Sequence, residues 1–175
     1  PFLPPTVIRH NLKKDLYLHY MKGSQLLPTI ILVGVGLGIA RIILGVSVIT
    51  NMGIDALSGS YMIVAVTFAL TIVAMIYAAY RYRDLTVDPG SALGLQQAFV
   101  VMLGVYAMGS LMVILGTGIY VNAFNPSLIP DGVDSPFAAA NAINELGTSL
   151  VYGSVFALIF AFFFSRLKKP LVVQK

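Results

Sequence analysis

The sequence predicts an all-α integral membrane protein, a four-helix bundle with both termini on the cytoplasmic side, and three observations carry that prediction. Four long apolar runs occupy residues 26–50, 61–80, 98–121 and 146–164, and each can cross a hydrocarbon core of about 30 Å, which takes about 20 helical residues. The 175-residue chain is 58% hydrophobic and only 10% charged, with a mean hydropathy of +0.87, which leaves no length for a second, soluble domain. Finally, ten of its eleven lysines and arginines fall in alternate polar stretches. Arg9, Lys13, Lys14 and Lys22 precede the first run, Arg81 and Arg83 follow the second, and Arg166, Lys168, Lys169 and Lys175 follow the fourth. The stretches Asn51 to Ser60 and Asn122 to Glu145 hold only Asp55, Asp131, Asp134 and Glu145. Positive charge collects on the cytoplasmic side of membrane helices, so the basic stretches face the cytoplasm.

Residues 1–25 read as a cytoplasmic segment that opens extended at its prolines and continues into a short interfacial helix. Leu12, Leu16 and His19 or Tyr20 share one face of that helix, suited to a membrane surface or a partner subunit. The chain begins at Pro1 without a methionine, so its natural start is expected to be trimmed or upstream, and no signal peptide is visible. The transmembrane domain covers 26–169 and a cytoplasmic tail 170–175.

In the first run, Gly34, Gly38, Arg41 and Gly45 fall on one helical face. Gly34-Val35-Gly36-Leu37-Gly38 is not a nucleotide loop, because it lies inside a continuous apolar segment with no preceding strand. Lipid supplies no hydrophobic drive for helix association, so small residues that admit close backbone approach mark packing faces. Thr67, Thr71, Ala74 and Ala78 repeat the device in the second run, Met102, Gly109 and Gly116 in the third, and Gly153, Ala157, Ala161 and Ser165 in the fourth. The connection 81–97 carries a turn at Asp88-Pro89-Gly90 and a helix start at Ser91. In the connection 122–145, residues Pro136 to Leu146 are expected to form a partial helix on the outer surface.

Arg41 is the formal charge inside a membrane run, about 21 Å along the helix from Leu27. A guanidinium there costs about 2.5–3.5 kcal/mol on insertion scales, which a partner offsets. Glu145 and Asp55 are its expected ion-pair partners. An anionic lipid, substrate or cofactor group, or another subunit, is the alternative. His10 and His19 both precede the first run, so this chain offers no pair of intramembrane histidines for a haem. One axial ligand to a chlorin at the interface is the most they supply. Tyr61, Tyr80, Tyr82 and Tyr120 lie near helix ends, where aromatic belts sit. Phe156, Phe160, Phe162, Phe163 and Phe164 surround one half of the fourth helix, a surface for lipid, carotenoid, quinone tail or a neighbouring protein.

With no cysteine there is no disulfide, iron–sulfur cluster or thiolate metal site. No catalytic constellation or metal motif is visible, and no cofactor of the chain's own is expected beyond bound lipid or pigment at its periphery. The pI of about 9.4 reflects cations placed for anionic headgroups rather than for nucleic acid.

Gly94-Leu95-Gln96-Gln97-Ala98-Phe99, Phe124-Asn125-Pro126 and Arg166-Leu167-Lys168-Lys169-Pro170 resemble an uncharacterised bacterial inner-membrane family, a four-helix domain of unknown function. The resemblance covers the second half of the chain and implies the bacterial inner membrane, with no activity to carry over. The expected function is therefore a non-catalytic accessory subunit of a larger membrane assembly, such as a respiratory or photosynthetic electron-transfer complex, with other membrane subunits and anionic lipids as partners. A small anion or solute transporter with Arg41 in its path is the alternative, and a homo-oligomeric scaffold is a third.

Overall fold

The computed structural model describes residues 25–52, 61–124, 126 and 139–170, of which 139–145 are described in backbone only. The expected N-terminal helix, His10, His19, Asp55, the Glu145 side chain, residues 136–138 of the expected surface helix and residues 171–175 of the tail lie outside the described residues. Among the described residues there are four long helices: α1 (Leu26–Met52), α2 (Tyr61–Thr86), α3 (Leu95–Ile119) and α4 (Ala139–Phe164). Each contains a segment long and apolar enough to cross a membrane.

The helices outrun the apolar runs that announce them. α2 continues past Tyr80 to Thr86, carrying Arg81 and Arg83 inside the helix, because arginine interrupts hydropathy without interrupting helix propensity. α4 is already helical at Ala139, so the segment expected as a separate surface helix is, from there on, the first turns of α4. At its far end α3 passes into a π-helical turn, Tyr120–Phe124. Its start is displaced in the other direction: Ser91 does not open the helix, which begins at Leu95. The intervening residues stay extended because Ala92 bridges Lys168 and Ser91 accepts from the Lys169 N–H at 2.8 Å.

Side-chain hydroxyls and amides within the helices turn back on their own backbones. Thr29, Ser47, Thr50, Asn51, Thr71, Thr86 and Asn122 all donate to the carbonyl four residues earlier, at 2.7–2.9 Å. This local bond satisfies the polar group within its own helix.

α1 and α3 form the most extensive pair. They run parallel in constant register, since Ile30 packs on Gly104, Gly34 on Met108, Gly38 on Met112 and Ile42 on Gly116. Every step of four residues along α1 is thus met by a step of four along α3, with a large side chain always opposite a glycine. The ridges interlock, and the two backbones come close at Gly34 and Gly38, where even a Cβ would collide with a methionine. α4 packs against α3, placing Gly153 beneath the Tyr106 ring. Ala78, Ala79, Ala98, Val101, Met102, Val105, Ala157 and Ala161 fill the centre.

A polar clamp closes one end of the bundle. Asp88-Pro89-Gly90-Ser91 forms a turn, with Ser91 N–H donating to the Asp88 carbonyl at 3.1 Å and Gly90 at φ 82°, a conformation that favours glycine. The chain after α4 lies along this turn, because Gly90 N–H donates to the Lys169 carbonyl at 2.9 Å. Lys169 Nζ then caps the end of α2, donating to the Asp84 and Val87 carbonyls at 2.8 and 2.9 Å. A cation is the right group there, since terminal carbonyls carry the negative end of the helix dipole.

Candidate functional site

Between the four helices lies a cavity of about 330 Å3, and Arg41 is in its wall. Its lining follows from helical spacing. α2 contributes Ile63, Thr67, Phe68, Thr71 and Met75, a stripe that runs about 18 Å along the helix at 1.5 Å per residue. α1 contributes Arg41, Leu44 and Gly45, α3 Tyr106, Val113 and Thr117, and α4 Phe156. The cavity therefore extends lengthwise along α2, apolar over most of its wall, with one guanidinium and four hydroxyl groups among its lining residues.

The polar groups are held by different means. Arg41 is half-buried, and its Nη1 donates to Ser110 Oγ at 3.5 Å, across the α1–α3 contact. Thr71 donates to the Thr67 carbonyl at 2.8 Å. Thr117 is 3% exposed, and its hydroxyl has no hydrogen-bond partner among the described residues. It thus departs from Thr29, Thr50, Thr71 and Thr86, whose hydroxyls all bond their own helix. Phe68 and Phe156 meet edge to face, with centroids 4.8 Å apart, across the sparse contact between α2 and α4.

The structure sorts the residues singled out from the sequence into two groups. Gly34, Gly38, Gly109, Gly116 and Gly153 sit at helix contacts, each meeting a large side chain of another helix. Gly34 and Gly38 are consequently taken up within the chain and leave no glycine face for self-association at that point. Ala74 packs against the core, Ala157 is part of it, and Phe160 lies against its edge. Gly45, Thr67, Thr71 and Phe156 instead join Arg41 around the cavity. Phe163 belongs to neither group and is exposed on α4. Of the expected partners of Arg41, Glu145 starts near the beginning of α4 and Asp55 lies in the α1–α2 connection, both outside the described side chains.

Two groups carry weight that sequence reasoning does not assign them. Arg83 reads as a loop cation, yet it is 4% exposed, with its guanidinium 4.6 Å from the Tyr80 ring centroid and 5.5 Å from that of Phe164. It also bonds Asp84 Oδ1 through Nε and Nη2 at 3.3 and 3.2 Å. Tyr82, expected near a helix end where aromatic belts sit, is a buried core residue. Their position in the last turns of a helix that outruns its apolar segment is the missing signal. No family model, curated protein or solved structure matches the chain.

Proposed function

We propose that the chain is an integral membrane protein of the bacterial inner membrane, with both termini cytoplasmic, that serves without catalysis as an accessory subunit of a larger membrane assembly. The observation that carries this reading is the outward face of α4. Val151, Tyr152, Val155, Leu158, Ile159, Phe162 and Phe163 are all exposed there, an apolar and aromatic surface too continuous for water. Leu158, Ile159, Phe162 and Phe163 border a shallow groove on it. α4 leans on α3 and touches α2 little, so its other flank is open to a neighbouring helix. α2 supports membrane placement in the same way, exposing Met62, Val66, Leu70, Val73 and Tyr77. The alternation of basic and acidic stretches and the likeness of residues 94–99 to a four-helix inner-membrane family support the orientation and the compartment.

The test is extraction from native membranes in a mild detergent, followed by native-gel mass spectrometry and an absorption spectrum of the band. Migration within a large assembly is the expected result, and a particle containing only this chain would overturn it. A second reading, an anion transporter, is favoured by the Arg41 cavity. Arg41→Gln separates the two: loss of anion flux from a folded, monodisperse protein supports transport, whereas altered assembly with no flux to lose supports the subunit.

A further inference from the structure

We infer that the C-terminal end of α4 seats one anionic phospholipid, its phosphate on Arg166 and Lys168 and one acyl chain in the groove bordered by Leu158, Ile159, Phe162 and Phe163. The inference rests on the membrane reading proposed above and adds a lipid to the partners of the α4 face.

The Phe162 ring joins the two halves of the seat. It is a wall of the groove, and the Arg166 guanidinium lies over it with Cζ 4.3 Å from the ring centroid. Stacking of this kind holds the cation by its face and leaves its N–H edge for an acceptor. Arg166 is exposed, and its guanidinium has no hydrogen-bond or ion-pair partner among the described residues. Lys169, by contrast, commits its ammonium to the Asp84 and Val87 carbonyls. One cation closes the bundle, and the other faces outward with its donors unmet. Lys168, between them, is exposed as well, and its backbone is held by the bridge to Ala92.

Charge selects the head. Of the carboxylates in the clamp, Asp84 is held by Arg83 at 3.2 Å and Asp88 is engaged as well, so the seat itself is net positive. An anionic phosphate receives charge-assisted hydrogen bonds there, whereas the ammonium of a zwitterionic headgroup would stand beside two like charges. Length suits the tail. Val151, Val155, Leu158 and Phe162 are exposed at i, i+4, i+7 and i+11, a row about 16 Å long that ends one turn before Arg166. One leaflet of a hydrocarbon core of about 30 Å is about 15 Å deep, so a chain anchored at Arg166 runs the length of that row. A cation placed only to orient the helix needs neither the ring beneath it nor the row beyond.

Native mass spectrometry of the full chain in neutral detergent tests the seat, with phosphatidylglycerol and phosphatidylcholine of the same acyl chains as probes. One retained phosphatidylglycerol is expected, with phosphatidylcholine retained about tenfold less, the scale of one charge-assisted hydrogen bond. Arg166→Gln and Phe162→Ala should each weaken retention of phosphatidylglycerol by about the same factor. Both side chains are exposed, so the unfolding midpoint in lipid-free detergent should change little. Arg81→Gln is the control, because Arg81 is an exposed cation of α2 that does not border the groove, and its retention should match that of the unaltered protein. Equal retention of the two lipids overturns the inference, as does undiminished binding by Arg166→Gln or Phe162→Ala. So does an equal loss in Arg81→Gln, since that identifies diffuse attraction by the whole basic end. If phosphatidylglycerol is not retained but the chain stays in carbonate-washed membranes, this inference fails and the membrane reading stands. If carbonate releases the chain, the membrane reading itself fails.

Discussion

Replacing Gly34 with alanine tests the interlock that sets the spacing of α1 and α3. The added Cβ would lie 2.6 Å from Met108 Cβ, 2.8 Å from Met108 Cγ and 3.2 Å from the Val105 carbonyl oxygen. Carbon atoms in contact sit about 3.5–4.0 Å apart, so the helices must separate by about 1 Å, because Met108 Cβ is fixed to its backbone. A gap of 0.5–1 Å forfeits a quarter to a half of each atom pair's 0.1–0.2 kcal/mol. Over on the order of fifty pairs along the four interlocked steps, the loss is about 2–3 kcal/mol, within the usual range for an overpacked core. Alanine returns about 1 kcal/mol of helix propensity. The net effect of Gly34→Ala is therefore a destabilisation of about 1–2 kcal/mol. Gly36→Ala is the matched control: it lies in the same helix with nothing within 4 Å of an added Cβ, so only the propensity gain applies. Reversible unfolding from mild detergent, followed by circular dichroism, measures both. The reasoning is refuted if Gly34→Ala is as stable as Gly36→Ala.

Three further predictions concern the clamp. Lys169→Ala removes two hydrogen bonds to the Asp84 and Val87 carbonyls and should cost about 1–2 kcal/mol, while Lys168→Ala, exposed and next to it, changes little; hydrogen exchange across residues 84–91 should rise in the first variant only. Arg83→Lys keeps the charge but loses the planar stack on Tyr80 and Phe164, and a loss of about 1 kcal/mol in the unfolding free energy is expected. Gly90→Ala forces a Cβ into the left-handed region and should cost about 1–2 kcal/mol by the same assay, with equal stability counting against the turn.

The four helices are legible in the sequence because a long apolar run has few other structural solutions, as the run of residues 98–121 inside α3 and its extension shows. Helix ends are less legible. Arg81 and Arg83 end the apolar signal of α2 without ending its hydrogen bonding, and nothing in Ser91-Ala92 announces that the chain after α4 will hold those residues extended. The glycine faces can be read from spacing, but their partners cannot. That Gly104 and Gly116 receive Ile30 and Ile42, in reciprocal register with Gly34 and Gly38, depends on which helices are neighbours. The same holds for the cavity. Arg41 stands out as a charge inside an apolar run, yet Tyr106, Thr117 and Phe68 look like ordinary apolar-run residues until four helices bring them to one space.

The membrane topology on which the account rests is open to a direct measurement, since the chain has no cysteine and any single one introduced is a unique label. Ser58→Cys, Ser91→Cys, Ser127→Cys and Gln174→Cys place a thiol in each connection and in the tail. In sealed right-side-out vesicles, a membrane-impermeant maleimide should label the variants at 58 and 127 at once, and those at 91 and 174 only after permeabilisation. Equal labelling of all four in intact vesicles, or the inverse alternation, would contradict a four-span bundle with both termini in the cytoplasm.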